Sequence, residues 1–218
     1  MPGFEMRGWL REKLFRPRLA YRTAKRLMDM LGGAVGLVIT GLLAIPVAIA
    51  IKFDSPGPIL FRQTRVTRGG RRFRFYKFRT MVVDATLRQA QLDRLNEATG
   101  PIFKIRDDPR ITKVGRFLRR YSLDELPQFF NVLTGDMSLV GPRPPLDHEV
   151  VQYSDFHRRR LLVKQGMTGL WQVSGRSKLT FEKMVNLDVH YVENQSMRMD
   201  LKILLHTFPI IVKGIGSY

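Results

Sequence analysis

One run dominates the hydrophobic pattern of this chain. From Met30 to Ile51 there are 22 consecutive uncharged residues, MLGGAVGLVITGLLAIPVAIAI, with Thr40 the only side-chain hydroxyl. At about 1.5 Å per residue such a helix could cross a ~30 Å hydrocarbon core. Residues 1–29 carry eight Lys or Arg against three acids, and residues 61–80 carry eight with no acid. A spanning helix biases positive charge to its cytoplasmic flank, yet here both flanks qualify. A segment that enters the bilayer, turns and leaves on the same face satisfies both. Pro46 is where it would turn, because it offers no N–H to the Leu42 carbonyl and its ring crowds that group. Spanning anchors also tolerate proline, so the pattern leaves both arrangements open. The run is too long, and begins too far into the chain, for a signal peptide.

Elsewhere the pattern predicts an α+β, mostly helical chain. Residues 7–29 mix bases with Trp9, Leu10, Leu14, Phe15, Leu19 and Leu27, as suits a helix lying along lipid headgroups. The turn Asp54-Ser55-Pro56-Gly57-Pro58 ends the membrane element. A β-hairpin follows: Ile59 to Val66, the turn Arg68-Gly69-Gly70-Arg71, then Arg72 to Arg79. Helices are predicted over 84–97, from Ile111 to Tyr121, from Ser122 to Leu133, and over 147–162, 180–193 and 200–213. Rigid or irregular loops cover 141–145 and 166–177. The expected organisation is a basic interfacial leader (1–29), a membrane helix interrupted at Pro46 (30–52) and a compact domain (53–218).

Within the second strand, Phe73 and Phe75 share parity with Lys77 and Arg79, whereas Tyr76 and Phe78 share it with Arg72 and Arg74. The apolar face therefore switches near Tyr76. Either the strand bulges or ends there, or two cations point inward and need an anionic partner. A solvated basic edge is the plainer alternative.

Net charge is +18. That excess calls for an anionic partner such as nucleic acid, acidic headgroups or phosphorylated substrates, and the membrane segment favours the last two. The chain has no cysteine, which excludes disulfides and zinc–thiolate sites. Its four histidines are scattered without metal-type spacing.

Two short patterns could carry chemistry. Ser122-Leu123-Asp124-Glu125 reads as a helix capping box, or as an acidic pair at a phosphate-attracting helix start. In the second case one carboxylate could attack while its neighbour holds a metal, because two anions so close need a cation. In Gly141-Pro142-Arg143-Pro144 the prolines stiffen the backbone around an arginine that suits phosphate.

With these residues in hand, the chain resembles the bacterial sugar transferases, or monotopic phosphoglycosyl transferases. The resemblance runs from about Lys25 to the C-terminus, through KRLMD, SPGPILFRQTRV, FYKFRTM, DDPRITKVGRFLRRYSLDELPQFFNVLTGDMSLVGPRP, GMTGLWQVSGRS and LDVHYVENQSMRMDLKILL in that order. It implies a helix that re-enters at Pro46, where this chain has Ile45 in place of the serine common in relatives. It implies transfer of a sugar phosphate from a UDP-sugar to polyprenyl phosphate at the cytoplasmic face of the bacterial inner membrane. Asp124 would be the nucleophile, with Glu125 beside it holding Mg2+. Lys77, Arg119, Arg143 and Arg176 would contact phosphate or nucleotide, and Arg79 and Asp188 are added by proximity to matched motifs. Lys164-Gln165 stands where relatives commonly read Arg-Pro, which puts binding there in doubt. Longer relatives carry extra N-terminal membrane helices, so a catalytic core alone is expected. Glucose or galactose is the sugar suggested by the C-terminal sequence. Expected partners are thus the UDP-sugar, polyprenyl phosphate and membrane lipids, with no nucleic acid. The rival expectation is a membrane-tethered binder of nucleic acid or acidic lipid that works through the basic hairpin.

Overall fold

The computed structural model describes residues 19–214. One helix, α1 (Leu19–Asp54), carries the whole apolar run together with the residues just before it. The leader and the membrane helix are therefore continuous where described, and residues 1–18 of the expected leader lie outside the described residues. Helix continues through Pro46, so the interruption expected there is not seen. By length and composition α1 could cross a membrane.

What distinguishes α1 from a free membrane helix is a single buried stripe. Asp29, Gly33, Gly36, Thr40, Val47 and Ile51 face the rest of the protein at helical spacing. On the other side Leu27, Leu31, Val35, Val38, Leu42, Ile45, Ile49 and Phe53 are all more than half exposed. Gly36 permits the closest approach. A Cβ there would come within 2.3 Å of the Phe129 ring.

The hairpin forms as the alternation predicts. Strands β1 (Leu60–Val66) and β2 (Arg72–Phe78) pair antiparallel from Leu60↔Phe78 to Val66↔Arg72. Gly69 and Gly70 turn the chain at φ 72° and 81°, a left-handed region that favours glycine. Phe73 and Phe75 enter the main core with Val132, Met137, Leu139, Val140, Tyr191 and Ile203. Phe78 points the other way, onto Val47, Ile51 and Leu118. The apolar face does switch near Tyr76, and the end of β2 is covered on both sides.

Beyond the hairpin, the helix expected over 84–97 reduces to one turn, α2 (Gln89–Leu92), and a 3-10 turn over Asp93–Leu95. The stretch is polar and buries only Ala85, so little tertiary packing supports a helix. Helix α3 (Lys113–Arg120) is capped by Thr112 Oγ1, which accepts from Gly115 N at 3.0 Å. Helix α4 (Gln128–Thr134) ends at Gly135, φ 82°. A parallel pair, β3 (Ser138–Val140) and β4 (Gly166–Thr168), was not foreseen and lies partly in the expected 166–177 loop, followed by α7 (Leu170–Val173). The expected helix over 147–162 divides into α5 (Asp147–Val151), α6 (Asp155–Arg158) and a 3-10 turn, because Ser154 starts α6 afresh by accepting from His157 N.

Helices α8 (Phe181–Glu193) and α9 (Met197–Lys213) complete the domain, the latter beginning before the expected Asp200. Fully buried Asp200 accepts from Tyr191 Oη at 2.7 Å, Tyr21 Oη at 2.9 Å and Lys25 Nζ at 3.0 Å. It thereby ties α9 to α8 and to the start of α1.

Candidate active site

The acidic pair lies on a 3-10 turn, Leu123–Glu125, between α3 and α4. Ser122 precedes it in a left-handed conformation, φ 54°, and its side chain caps nothing. The capping-box reading therefore fails, since a capping residue needs extended dihedrals. Ser122 N donates to Arg119 O at 3.1 Å, so it makes no call on the Glu125 carboxylate, which is free to turn elsewhere. It turns to Lys77. The Lys77 ammonium stands 2.8 Å from Glu125 Oε1 and 3.3 Å from Asp124 Oδ2, bridging both carboxylates. This is the anionic partner that an inward-facing cation on β2 requires.

The two carboxylates have different surroundings. Asp124 is buried, while the Glu125 side chain keeps about a third of its exposure, 35%. Burial is the largest influence on Asp124 and, with the neighbouring charge of Glu125, holds its carboxyl above the ordinary value despite Lys77 and Arg119. Burial pushes Glu125 up as well, but the charges of Lys77, Arg176 and Arg143 outweigh it and hold that carboxyl below its ordinary value. One acid of the pair is thus poised to carry a proton more readily than the other.

Four predicted cations come together here. Lys77 comes from β2, Arg119 from the last turn of α3, Arg143 from the proline-flanked loop and Arg176 from the turn after α7. Arg119 acts on Asp124, and Arg143 and Arg176 act on Glu125. Arg176 adopts φ 50°, so it and Ser122 are the two non-glycine residues with positive φ among the described residues. Both flank the dyad, where stored backbone strain is characteristic of a functional constraint.

Two predicted binding residues stand apart. Arg79 donates to Ser55 O at 2.8 Å and to Pro56 O, clamping the turn that follows α1. Asp188 is fully buried in an ion pair with Arg160, whose other arm reaches Tyr153 Oη at 3.0 Å. Burial pushes the Asp188 carboxyl up to about 6 even against that partner.

Sequence reasoning missed Arg65. It is buried beside Arg143, donates to Pro144 O at 2.9 Å and lies 5.3 Å from the Phe75 ring, which Lys77 Nζ approaches from 5.6 Å. Burial and then the like charge of Arg143 lower its proton affinity. Its register opposite buried Phe73 was the available signal. Thr40 was also passed over. Its Oγ1 donates to Gly36 O at 2.7 Å and lies 3.1 Å from Leu126 O, so the middle of the apolar run touches the residue after the dyad.

Among the described residues no group of three or more His, Asp or Glu gathers as a ready-made metal cage. Asp124 and Glu125 nevertheless offer hard oxygen donors already neutralised by a cation, Lys77. That donor set suits an ion that completes its coordination with substrate phosphates and water.

The family profile described as bacterial sugar transferase matches residues 20–214. The galactosyl transferase CpsE of Streptococcus agalactiae is 49% identical over 201 residues, covering 92% of this chain and 44% of that protein. An undecaprenyl-phosphate galactose phosphotransferase of Salmonella typhimurium is 43% identical over 205 residues, covering 90% of this chain and 42% of its own length. The exopolysaccharide production protein ExoY of Rhizobium meliloti is 37% identical over 199 residues, covering 89% of this chain and 88% of that one. The chain thus spans less than half of the first two relatives and most of the third. With a profile match over nearly every described residue, this chain belongs to the bacterial sugar transferase family.

Proposed function

We propose that this chain transfers a hexose-1-phosphate from a UDP-sugar to undecaprenyl phosphate at the cytoplasmic face of the inner membrane, releasing UMP. The product would begin assembly of an exopolysaccharide or O-antigen type glycan. One observation carries the proposal: a buried, charge-neutralised carboxylate, Asp124, held by a left-handed turn against a helix whose outer face is suited to lipid.

In this reading Asp124 Oδ attacks the sugar-linked phosphorus. An O–P bond forms, the bond to the uridylyl phosphate breaks, and UMP leaves with the electron pair. A phosphate oxygen of undecaprenyl phosphate then attacks the same phosphorus, forming the diphosphate and returning Asp124 as carboxylate, a ping-pong cycle. Lys77, Arg119, Arg143 and Arg176 orient the diphosphate and offset charge that develops on its oxygens. Asp124 and Glu125 would hold Mg2+, which when bound supplies charge neutralisation for the phosphoryl oxygens.

The packing of α1 supports seating it on one face of the bilayer rather than straight across it. The domain flanks α1 from Asp29 to Ile51, and Leu126 meets it at Thr40. A perpendicular span would carry Lys77 and the dyad into hydrocarbon, where charges are strongly disfavoured.

Exchange labelling tests the first half of the cycle. Labelled UMP should enter the UDP-sugar pool without any polyprenyl phosphate, and Asp124→Asn should abolish this. Sustained UMP release without acceptor would instead identify a hydrolase, and no exchange would contradict a covalent intermediate.

A further inference from the structure

A second group of cations gathers away from the dyad, where the apolar run of α1 begins. Lys164 Nζ and Arg26 Nη2 both converge on Gly135, within 3.3 and 3.7 Å of the position that a Cβ on this glycine would take. Arg26 donates to Val132 O at 2.9 Å and Leu133 O at 2.8 Å, the carbonyls that end α4. Only part of a guanidinium's donor set is used in this way. Arg68 and Arg71, exposed in the hairpin turn, act with Arg26 on Lys164 through space.

The nearby acids are already committed. Asp136 accepts from Arg71 at 2.8 Å and from Thr134 Oγ1 at 3.1 Å. Buried Asp29 accepts from Ser138 Oγ and Leu139 N, both at 2.9 Å. Lys164 itself is half-buried and makes no hydrogen bond or ion pair among the described residues. Burial, followed by the charge of Arg26, pushes its ammonium below the ordinary value. Four cations with two engaged counter-charges form a site that an added anion would complete.

We propose that Arg26, Lys164, Arg68 and Arg71 seat the phosphate of an anionic phospholipid. The depth of the site points to lipid. Arg26 precedes Met30, where the uncharged run starts, by one helical turn, about 6 Å of rise. Leu27, Met30 and Leu31 are exposed at that level of α1, ready to meet acyl chains. Lys164 is thus engaged by Arg26, Asp29, Arg68 and Arg71, a set distinct from the charges acting on the dyad. The seat stands apart from the transfer chemistry and does not depend on Asp124.

Thermal unfolding of the full chain in detergent, titrated with phosphatidylglycerol, phosphatidylcholine or inorganic phosphate, tests it. Phosphatidylglycerol should raise the unfolding temperature, and phosphatidylcholine and inorganic phosphate at equal concentration should not. Lys164→Met should weaken the apparent affinity for phosphatidylglycerol by about tenfold, a loss of ~1.4 kcal/mol. Without lipid the same variant should unfold no lower than the wild type, because it removes a repelled charge. The exposed pair Arg68→Gln/Arg71→Gln should weaken lipid stabilisation in the same direction. An unchanged phosphatidylglycerol response in both variants would overturn the proposal, as would inorganic phosphate matching the lipid. A Lys164→Met protein that unfolds lower without lipid would make Lys164 a structural cation and overturn it equally.

Discussion

Replacing Lys77 with methionine removes the cation that bridges the dyad and keeps most of the side chain's length. The ammonium lies 2.8 Å from Glu125 and 3.3 Å from Asp124. At these distances each ion pair is worth between about 1 kcal/mol in water and about 5 kcal/mol at an effective dielectric near 20. Both Lys77 and Glu125 are partly exposed, so solvent screening brings the expected net loss to about 2 kcal/mol. The sign follows from charge. Without Lys77 the ionised forms of both carboxyls become less favourable, so a proton is held to higher pH. Asp124, already held above its ordinary value by burial and Glu125, is the acid that retains it. Only ionised Asp124 can attack phosphorus, so the acidic limb of the pH–rate profile should move upward by one to two pH units, roughly 1.4 kcal/mol per unit. Single-turnover UMP release from UDP-sugar, measured across pH, reads this directly. Lys77→Met should be slowed by about ten- to a hundredfold at low pH and recover part of the loss at high pH. An unmoved acidic limb with a uniformly reduced rate would refute the reasoning and make Lys77 a substrate contact alone.

Three further outcomes follow from the packing. Asp188 is pushed up to about 6 from 3.8, so the native state holds its proton more tightly than the unfolded chain does. Wild type should therefore lose about 3 kcal/mol of stability relative to Asp188→Asn as pH rises from about 4 to about 7; the opposite slope in denaturation curves would mean that the Arg160 pair more than offsets burial. Gly36→Ala puts a methyl group 2.3 Å from the Phe129 ring, and should cost about 1–3 kcal/mol in thermal or detergent denaturation; an unaffected variant would mean that α1 does not pack on α4 as described. Ser122→Gly relieves a left-handed φ of 54° and should stabilise the protein by up to about 1 kcal/mol while slowing single-turnover UMP release; a gain in both stability and rate would show that the strained turn does not serve the dyad.

Much of the fold was legible because local signals agreed with tertiary packing. The Gly69-Gly70 turn and the alternation in β2 each specify their element within a few residues. Parity in β2 left an inward Lys77 as one of its alternatives, and that is the one that bridges the dyad. Elements held by distant partners were not legible. Strands β3 and β4 are three residues each and pair across the whole of α5 and α6. Arg65 and Arg160 are buried bases whose partners, Pro144 O and Asp188, come from other parts of the chain. Ser122-Leu123-Asp124-Glu125 misled for a related reason. Its sequence satisfies a local capping rule, yet Lys77, 48 positions from Glu125, takes the carboxylate instead.

The central claim is that Asp124 becomes esterified to a sugar phosphate, and intact-protein mass measurement addresses it without an acceptor. The full chain incubated with UDP-galactose or UDP-glucose and Mg2+ alone should gain the mass of one phosphosugar, and Asp124→Asn should gain nothing. An unshifted wild-type mass under conditions that support complete turnover, or the same adduct on Asp124→Asn, would contradict the account.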